Sequence, residues 1–199
     1  MAIRVYKPTS AGRRFASVNA HVEVTKKNPE NALLRPKPKK GGRNHSGKIT
    51  VRGRGGGAKQ MYRVIDFRRS DRDGIVGTVV GIEYDPGRSS HIALIKYADG
   101  VMRYIIAPAG LKDGDAILAS SDGPVEPKAG NCMRLRDIPT GLDVHCVELI
   151  AGRGATICRG AGTYCRLSNK EGGYVTLVLP SGEMRLVPID CRATIGQVG

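Results

Sequence analysis

The stretch IVGTVVGIEYDPGRSSHIALIKYADGVMRYIIA, residues 75–107, decides the fold class. It contains three short runs rich in β-branched and aromatic residues, IVGTVVGIEY (75–84), HIALIKY (91–97) and VMRYIIA (101–107). Asp85-Pro86-Gly87 separates the first two, and Asp99-Gly100 separates the last two. Asp-Gly between strand-like runs signals a tight hairpin, because glycine accepts the positive φ that such a turn demands. Working outward, MYRVIDF (61–67) precedes the stretch and DAILA (115–119) follows it, set off by Asp73-Gly74 and Asp113-Gly114. Five short strands with a turn at every break predict a small closed barrel of the OB type over residues 61–122.

A second series repeats the pattern: HCVELIA (145–151), ATICR (155–159), TYCRLSN (163–169), YVTLVLP (174–180) and EMRLVPI (183–189). Gly172-Gly173 and Ser181-Gly182 mark its turns, and its scale predicts an SH3-like barrel over residues 131–195. Between the two, SSDGPVEPKAGN (120–131) reads as a linker. No stretch of helical length carries a helical period; LRDIPTGLD (135–143) allows one short turn. The expected fold class is therefore all-β, an OB-fold barrel followed by an SH3-like barrel. Gly (27) and Pro (11) suit so many turns in 199 residues. No apolar run approaches the length of a membrane span.

The net charge is +14, and its placement carries the functional signal. Residues 1–60 hold 15 Lys and Arg against 2 acids; residues 61–130 hold 9 against 10, and residues 131–199 hold 8 against 6. Such asymmetry suits a polyanion-binding arm joined to near-neutral domains. The arm includes NPENALLRPKPKKGGRNHSGK (28–48) and ITVRGRGGGAKQ (49–60), short of apolar residues and broken by proline and glycine. Alone it is expected to be extended and flexible, ordering on RNA, where glycines let the backbone approach phosphates. Its phosphate-facing candidates are Lys37, Lys39, Lys40, Arg43, Arg52, Arg54 and Lys59. In and around the barrels the candidates are Arg68, Arg69, Arg88, Arg153, Arg159 and Arg166, expected to share one RNA-facing surface with the arm. Arg4, Lys7, Arg13 and Arg14 share the composition of a transit peptide, but Pro8 and Gly12 interrupt any amphipathic helix there, so these residues read as part of the arm.

Catalytic and cofactor chemistry finds little support. GGRNHSGK (41–48) nearly matches a phosphate-binding loop, but Ile49 stands where Ser or Thr would hold magnesium, and no helix is predicted to follow. GRGGGA (53–58) has dinucleotide-fingerprint spacing with the same defect. His21, His45, His91 and His145 are scattered, and the acids of the first barrel gather in turns. The cysteines at 132, 146, 158, 165 and 191 lack ligand or disulfide spacing and read as buried small hydrophobes of a reduced intracellular protein. No enzyme activity, cofactor, metal or small-molecule substrate is expected.

Nine collinear motifs resemble the universal large-subunit ribosomal protein L2 family in its bacterial form: YKPTSAGRR (6–14), GGRNHSGKIT (41–50), RGGGAKQMYRVIDFRR (54–69), EYDPGRSSHIAL (83–94), RYIIAPAGLKDGD (103–115), MRLRDIPTG (133–141), AGTYCRL (161–167), YVTLVLPSGEMRLV (174–187) and CRATIGQVG (191–199). The resemblance implies a basic arm and two β barrels on large-subunit ribosomal RNA. It also implies support for subunit association, with a contact to the small subunit, and a position near the peptidyl-transferase centre. It places Arg68, Arg69, Arg88 and Arg159 where the family contacts RNA. The family continues past GQVG with a basic, glycine-rich extension bearing a histidine-containing loop. The sequence stops at Gly199, and none of its four histidines matches that one.

The expected function is a structural constituent of the large ribosomal subunit that binds its RNA, located on a cytoplasmic rather than an organellar ribosome. The alternative is a transcription- or translation-associated factor using the same barrel types. It would need stacking aromatics on a barrel face, for which Tyr62, Tyr84, Tyr97 and Tyr104 are the candidates.

Overall fold

The computed structural model describes residues 3–199. The chain is all-β: fourteen strands and a single 3-10 turn, with no α-helix among the described residues. Strands β5 (Gly77–Glu83), β6 (Ile92–Tyr97), β7 (Met102–Ile106) and β8 (Ala116–Ile117) form an antiparallel sheet in the order β7-β6-β5-β8. The Asp99-Gly100 signal produces the β6–β7 hairpin. Gly100 takes φ +81°, its amide donates to the Tyr97 carbonyl at 2.9 Å, and Ile92 to Lys96 pair with Ile106 to Met102. A register shift between Val79 and Gly81 curls β5. A parallel bridge between Ile65 and Tyr104 extends the sheet beyond β7.

Strand β6 is buried on both faces, with only Lys96 exposed. Ala93, Ile95 and Tyr97 face a core shared with Val79, Ile82, Ile105 and Ile117. The opposite row, Ile92 and Leu94, packs with Tyr104 against Leu33, a residue of the basic N-terminal region. Leu33 is only 9% exposed. Residues 21–36 are thus docked on the first barrel rather than flexible. The amides of Thr25 and Lys26 donate to the Ile82 carbonyl, the Glu30 amide donates to the Tyr104 hydroxyl (2.7 Å), and Lys26 pairs with Glu83 at 3.2 Å. Strand β3 (Leu34–Pro36) then pairs with β4 (Met61–Arg63), and further upstream β1 (Ile3–Val5) pairs with β2 (Ser17–Asn19). The flexibility expected for the extended arm of residues 1–60 thus does not hold for residues 21–36. An apolar strand face open to water supplies the drive for docking, and one leucine with a few backbone bonds meets it.

The second unit is a six-stranded antiparallel sheet in the order β13-β12-β11-β10-β14-β9. Its strands are β9 (Cys132–Arg134), β10 (Asp143–His145), β11 (Cys165–Glu171), β12 (Tyr174–Val178), β13 (Met184–Pro188) and β14 (Arg192–Ile195). One core collects Met133, Leu135, Ile138, Val144, Leu167, Val175, Leu177, Val187 and Ile195. The strands expected at 145–151 and 155–159 are mostly loop. Cys146 and Cys158 have φ of +50° and +53°, which interrupts an extended run, and only a bridge between Val147 and Ile157 remains. Glu148 then gathers the loop, accepting the amides of Gly152 (3.1 Å) and Gly154 (2.9 Å).

The two barrels are joined by main-chain bonds as well as by residues 120–131. Ala119 bridges Cys132, Pro108 bridges Val198, and the Gly199 amide donates to the Ala107 carbonyl at 3.0 Å. Arg192, 6% exposed, sits in this seam. Its guanidinium donates to the Arg68 and Arg69 carbonyls and contacts Asp73 and Ser121 of the first barrel and linker. His145 is wholly buried nearby, its Nδ1 2.7 Å from the Gly196 carbonyl.

Two outcomes are expected. Leu33→Ala should lower stability by about 2–3 kcal/mol in urea unfolding, because a core leucine is truncated; no loss would mean the docked segment does not contribute to the fold. Burial, opposed by the Gly196 bond, holds His145 down to about 4 from its ordinary value of 6.5. The unfolded chain therefore binds a proton below about pH 6.5 that the folded chain refuses until about pH 4. Stability from this group is complete above pH 6.5 and declines through that window, by about 3 kcal/mol. Urea titrations from pH 4 to 7 should show this slope in the native chain and a shallower one in His145→Asn.

Candidate nucleic-acid interface

Turn chemistry builds the first part of the site. Asp66 Oδ1 accepts the amides of Arg68 (3.0 Å) and Arg69 (2.8 Å), an Asx-type turn that places Phe67 and Arg68 at the edge of the seam. In the DPGR turn, Asp85 Oδ1 accepts the Gly87 amide at 2.8 Å, and Oδ2 accepts Arg88 Nε at 2.7 Å. Asp85 is buried, so it sets the direction of the Arg88 stem. From the second barrel, Arg159 approaches the same ring as Arg88: their guanidinium carbons lie 5.1 and 5.7 Å from the Phe67 ring centre. Both distances are within cation–π range. The two loops also touch directly, through Ser90 Oγ to the Arg159 carbonyl and the Ala161 amide to Ser89 Oγ, each at 3.3 Å.

Two of the expected barrel arginines, Arg88 and Arg159, therefore converge on Phe67, and Arg68 follows it in the same turn, exposed. Arg153 lies in the adjoining loop, where Gly154 packs against the Arg68 stem so closely that a Cβ would stand 3.2 Å from Arg68 Cγ. Arg166 lies apart on β11, exposed and paired with Asp143 at 3.0 Å. Arg69 does not join the surface. It is 4% exposed, with φ +54°, and donates to the Gly130 carbonyl at 2.7 Å, so it holds the linker against the first barrel. Adjacent arginines in VIDFRR thus have opposite directions, a consequence of the Asp66 turn. Phe67 and Asp85 escaped the charge-based reading; the Asp-to-Arg spacing of DPGR was the available signal for Asp85.

The arm's candidates form a second group. Residues 40–51 fold back on themselves. Gly42 O accepts the amides of Thr50 (2.8 Å) and Val51 (3.1 Å), and Asn44 Oδ1 accepts those of Ser46 and Lys48 at 3.0 Å each. A Cβ on Gly42 would lie 2.4 Å from the Val51 carbonyl, and φ is +71°, so this position requires glycine. The near-match to a phosphate-binding loop is therefore a tight turn without a following helix. Lys39 donates to the Gly56 and Ala58 carbonyls and closes a hollow lined by Lys40, Gly41, Gly42, Val51 and Arg54. Arg43, Arg52, Arg54 and Lys59 are exposed, while Lys37 lies 5.1 Å over the Tyr62 ring. Of the four candidate tyrosines, Tyr97 and Tyr104 belong to the core while Tyr62 and Tyr84 reach the surface, and the His21 ring lies against Tyr84.

No cluster of three or more His, Cys, Asp or Glu placed to hold a metal occurs among the described residues, and no helix there could cross a membrane. Burial pushes the Cys146 thiol up to about 12 and Cys191 up to about 11, keeping both protonated and poor nucleophiles.

Gly42→Ala should open the 40–51 loop, seen as faster amide exchange at Thr50 and Val51, and leave the melting midpoint of the barrels unchanged. Retained protection at both amides would show that the close approach is not what closes the loop.

Comparison with known proteins returns two family models: residues 30–119 match "Ribosomal Proteins L2, RNA binding N-terminal domain", and residues 128–199 match "Ribosomal Proteins L2, C-terminal domain". The chain is also 57% identical over 200 residues to the large ribosomal subunit protein uL2 of Rhodopirellula baltica, a match that covers all of this chain and 69% of that protein.

Proposed function

The chain belongs to the ribosomal protein L2 family, and on that premise we propose that it is a non-catalytic constituent of the large ribosomal subunit that grips its RNA across the seam between two barrels. One observation carries the site: guanidinium groups from both barrels share the Phe67 ring, and Asp85 is the carboxylate paired with the Arg88 guanidinium there. Concentrated like charge is costly unless a counter-charge arrives, and RNA phosphates supply it. Arg68, Arg88, Arg153 and Arg159 form the seam contact set, and Arg166 extends it along β11. Lys37, Lys39, Lys40, Arg43, Arg52, Arg54 and Lys59 supply the arm contacts. Arg69 acts beneath this surface as a support. The working division remains an arm of residues 1–60 and barrels of residues 61–122 and 131–195, with residues 21–36 of the arm docked. Support of subunit association, contact with the small subunit, and residence on a cytoplasmic ribosome belong to the same proposal, carried by family membership.

Recognition of this kind reads backbone and shape more than base edges. Filter binding of large-subunit RNA fragments should give log affinity falling linearly with log salt, with a slope of about −0.9 per phosphate neutralised on duplex. Arg88→Ala and Arg159→Ala should each cost about 1–3 kcal/mol on cognate RNA and little on a simple polyanion. Equal losses on both ligands would reduce the seam to general charge, and affinity indifferent to salt would overturn the proposal.

A further inference from the structure

Beneath the Asp66 turn, between the barrels, lies a hollow of about 20 Å³. It is lined by Asp66, Arg69, His145, Glu148 and Arg192, by Arg68 and by Thr194, whose hydroxyl is bonded to the Cys132 thiol, together with apolar and cysteine side chains. Three buried polar atoms around it have no protein partner: Asp66 Oδ2, Arg69 Nε and His145 Nε2. His145 is wholly buried and Arg69 is 96% buried.

Hydrogen-bond inventory identifies the occupant. His145 Nδ1 faces the Gly196 carbonyl, which can only accept, so Nδ1 carries the proton and Nε2 presents a lone pair. Asp66 uses Oδ1 on two amides and turns Oδ2 free. Arg69 spends a terminal nitrogen on Gly130, also interacts with the Tyr97 hydroxyl, and keeps Nε–H without a partner. The hollow thus meets two acceptors and one donor. Of the other charged groups on its wall, Glu148 takes the amides of Gly152, Gly154 and Arg192, the Arg192 guanidinium is bound to two carbonyls, Asp73 and Ser121, and Arg68 is exposed to solvent. A cation would oppose Arg69 Nε–H, and an anion would oppose Asp66 and the imidazole lone pair. Water alone offers two donors and an acceptor at once, and the volume admits one molecule.

We propose that this hollow is a specific site for one ordered water, which donates to Asp66 Oδ2 and His145 Nε2 and accepts from Arg69 Nε. The water belongs to both barrels: Asp66 and Arg69 come from the first, His145 from β10 of the second. It ties the turn that presents Phe67 and Arg68 to the second barrel's sheet. The inference rests on geometry alone and stands whether or not the seam binds RNA.

Two experiments on the full chain test it. A crystal structure at a resolution that orders buried solvent should show a density peak about 2.7–3.2 Å from all three atoms. No peak, or any two of the three groups bonded directly to each other, would overturn the proposal. In solution, oxygen-17 relaxation dispersion counts long-lived waters. Ala155→Val adds methyl groups at the wall without removing a polar one, and should lower that count by one and lower the melting temperature. An unchanged count with a higher melting temperature would mean the hollow is dry. Should that variant not fold, the native-chain density decides.

Discussion

The rest of the structure depends on a buried guanidinium, that of Arg192. It carries its charge into the seam and satisfies it there with the carbonyls of Arg68 and Arg69, with Asp73 and with Ser121. Removing one partner from such a buried set costs about 3–5 kcal/mol, because the remaining groups are left without solvent or a counterpart. The same bonds fix the backbone of the Asp66 turn, and that turn aims Phe67 and Arg68 outward and Arg69 inward. The presented surface and the barrel-to-barrel register are therefore consequences of one satisfied charge.

This divides the basic residues into two kinds. Arg69 and Arg192 are structural: nearly all of their surface is buried, and their terminal nitrogens donate to backbone oxygens and, for Arg192, to Asp73 and Ser121 inside the protein. Arg68, Arg153, Arg159 and Arg166 are exposed, and their protein contacts are few or solvent-screened. An exposed pair such as Arg166 with Asp143 contributes little to stability, so exchanging the carboxylate for a phosphate costs the fold almost nothing. Arg88 stands between these kinds: its buried Asp85 partner orients the stem while the ring of Phe67 holds the head near Arg159.

The basic N-terminal region is likewise two things in one segment. Residues 21–36 serve the fold, because Leu33 covers the outer row of β6 and Glu30 and Lys26 meet the buried Tyr104–Glu83 pair. Residues 39–59 instead form loops closed by main-chain bonds and by Lys39 on the Gly56 and Ala58 carbonyls, with most of their basic side chains exposed. Glycine permits this economy at Gly42, where no side chain could pass the Val51 carbonyl.

The sequence by itself determined the all-β class, the central hairpins and the cationic character, because these are local properties: alternation of apolar residues, a glycine where φ must be positive, charge counted along the chain. Asp99-Gly100 announced its hairpin in full. Only the tertiary structure decided that Leu33 is core, that β9 and β14 are strands, that the run from Cys146 curls into a loop, that neighbouring arginines at 68 and 69 point opposite ways, and that Arg88 and Arg159 meet on one ring. Each of these depends on partners tens of residues distant, and burial of a side chain is a property of what packs over it rather than of the residue alone.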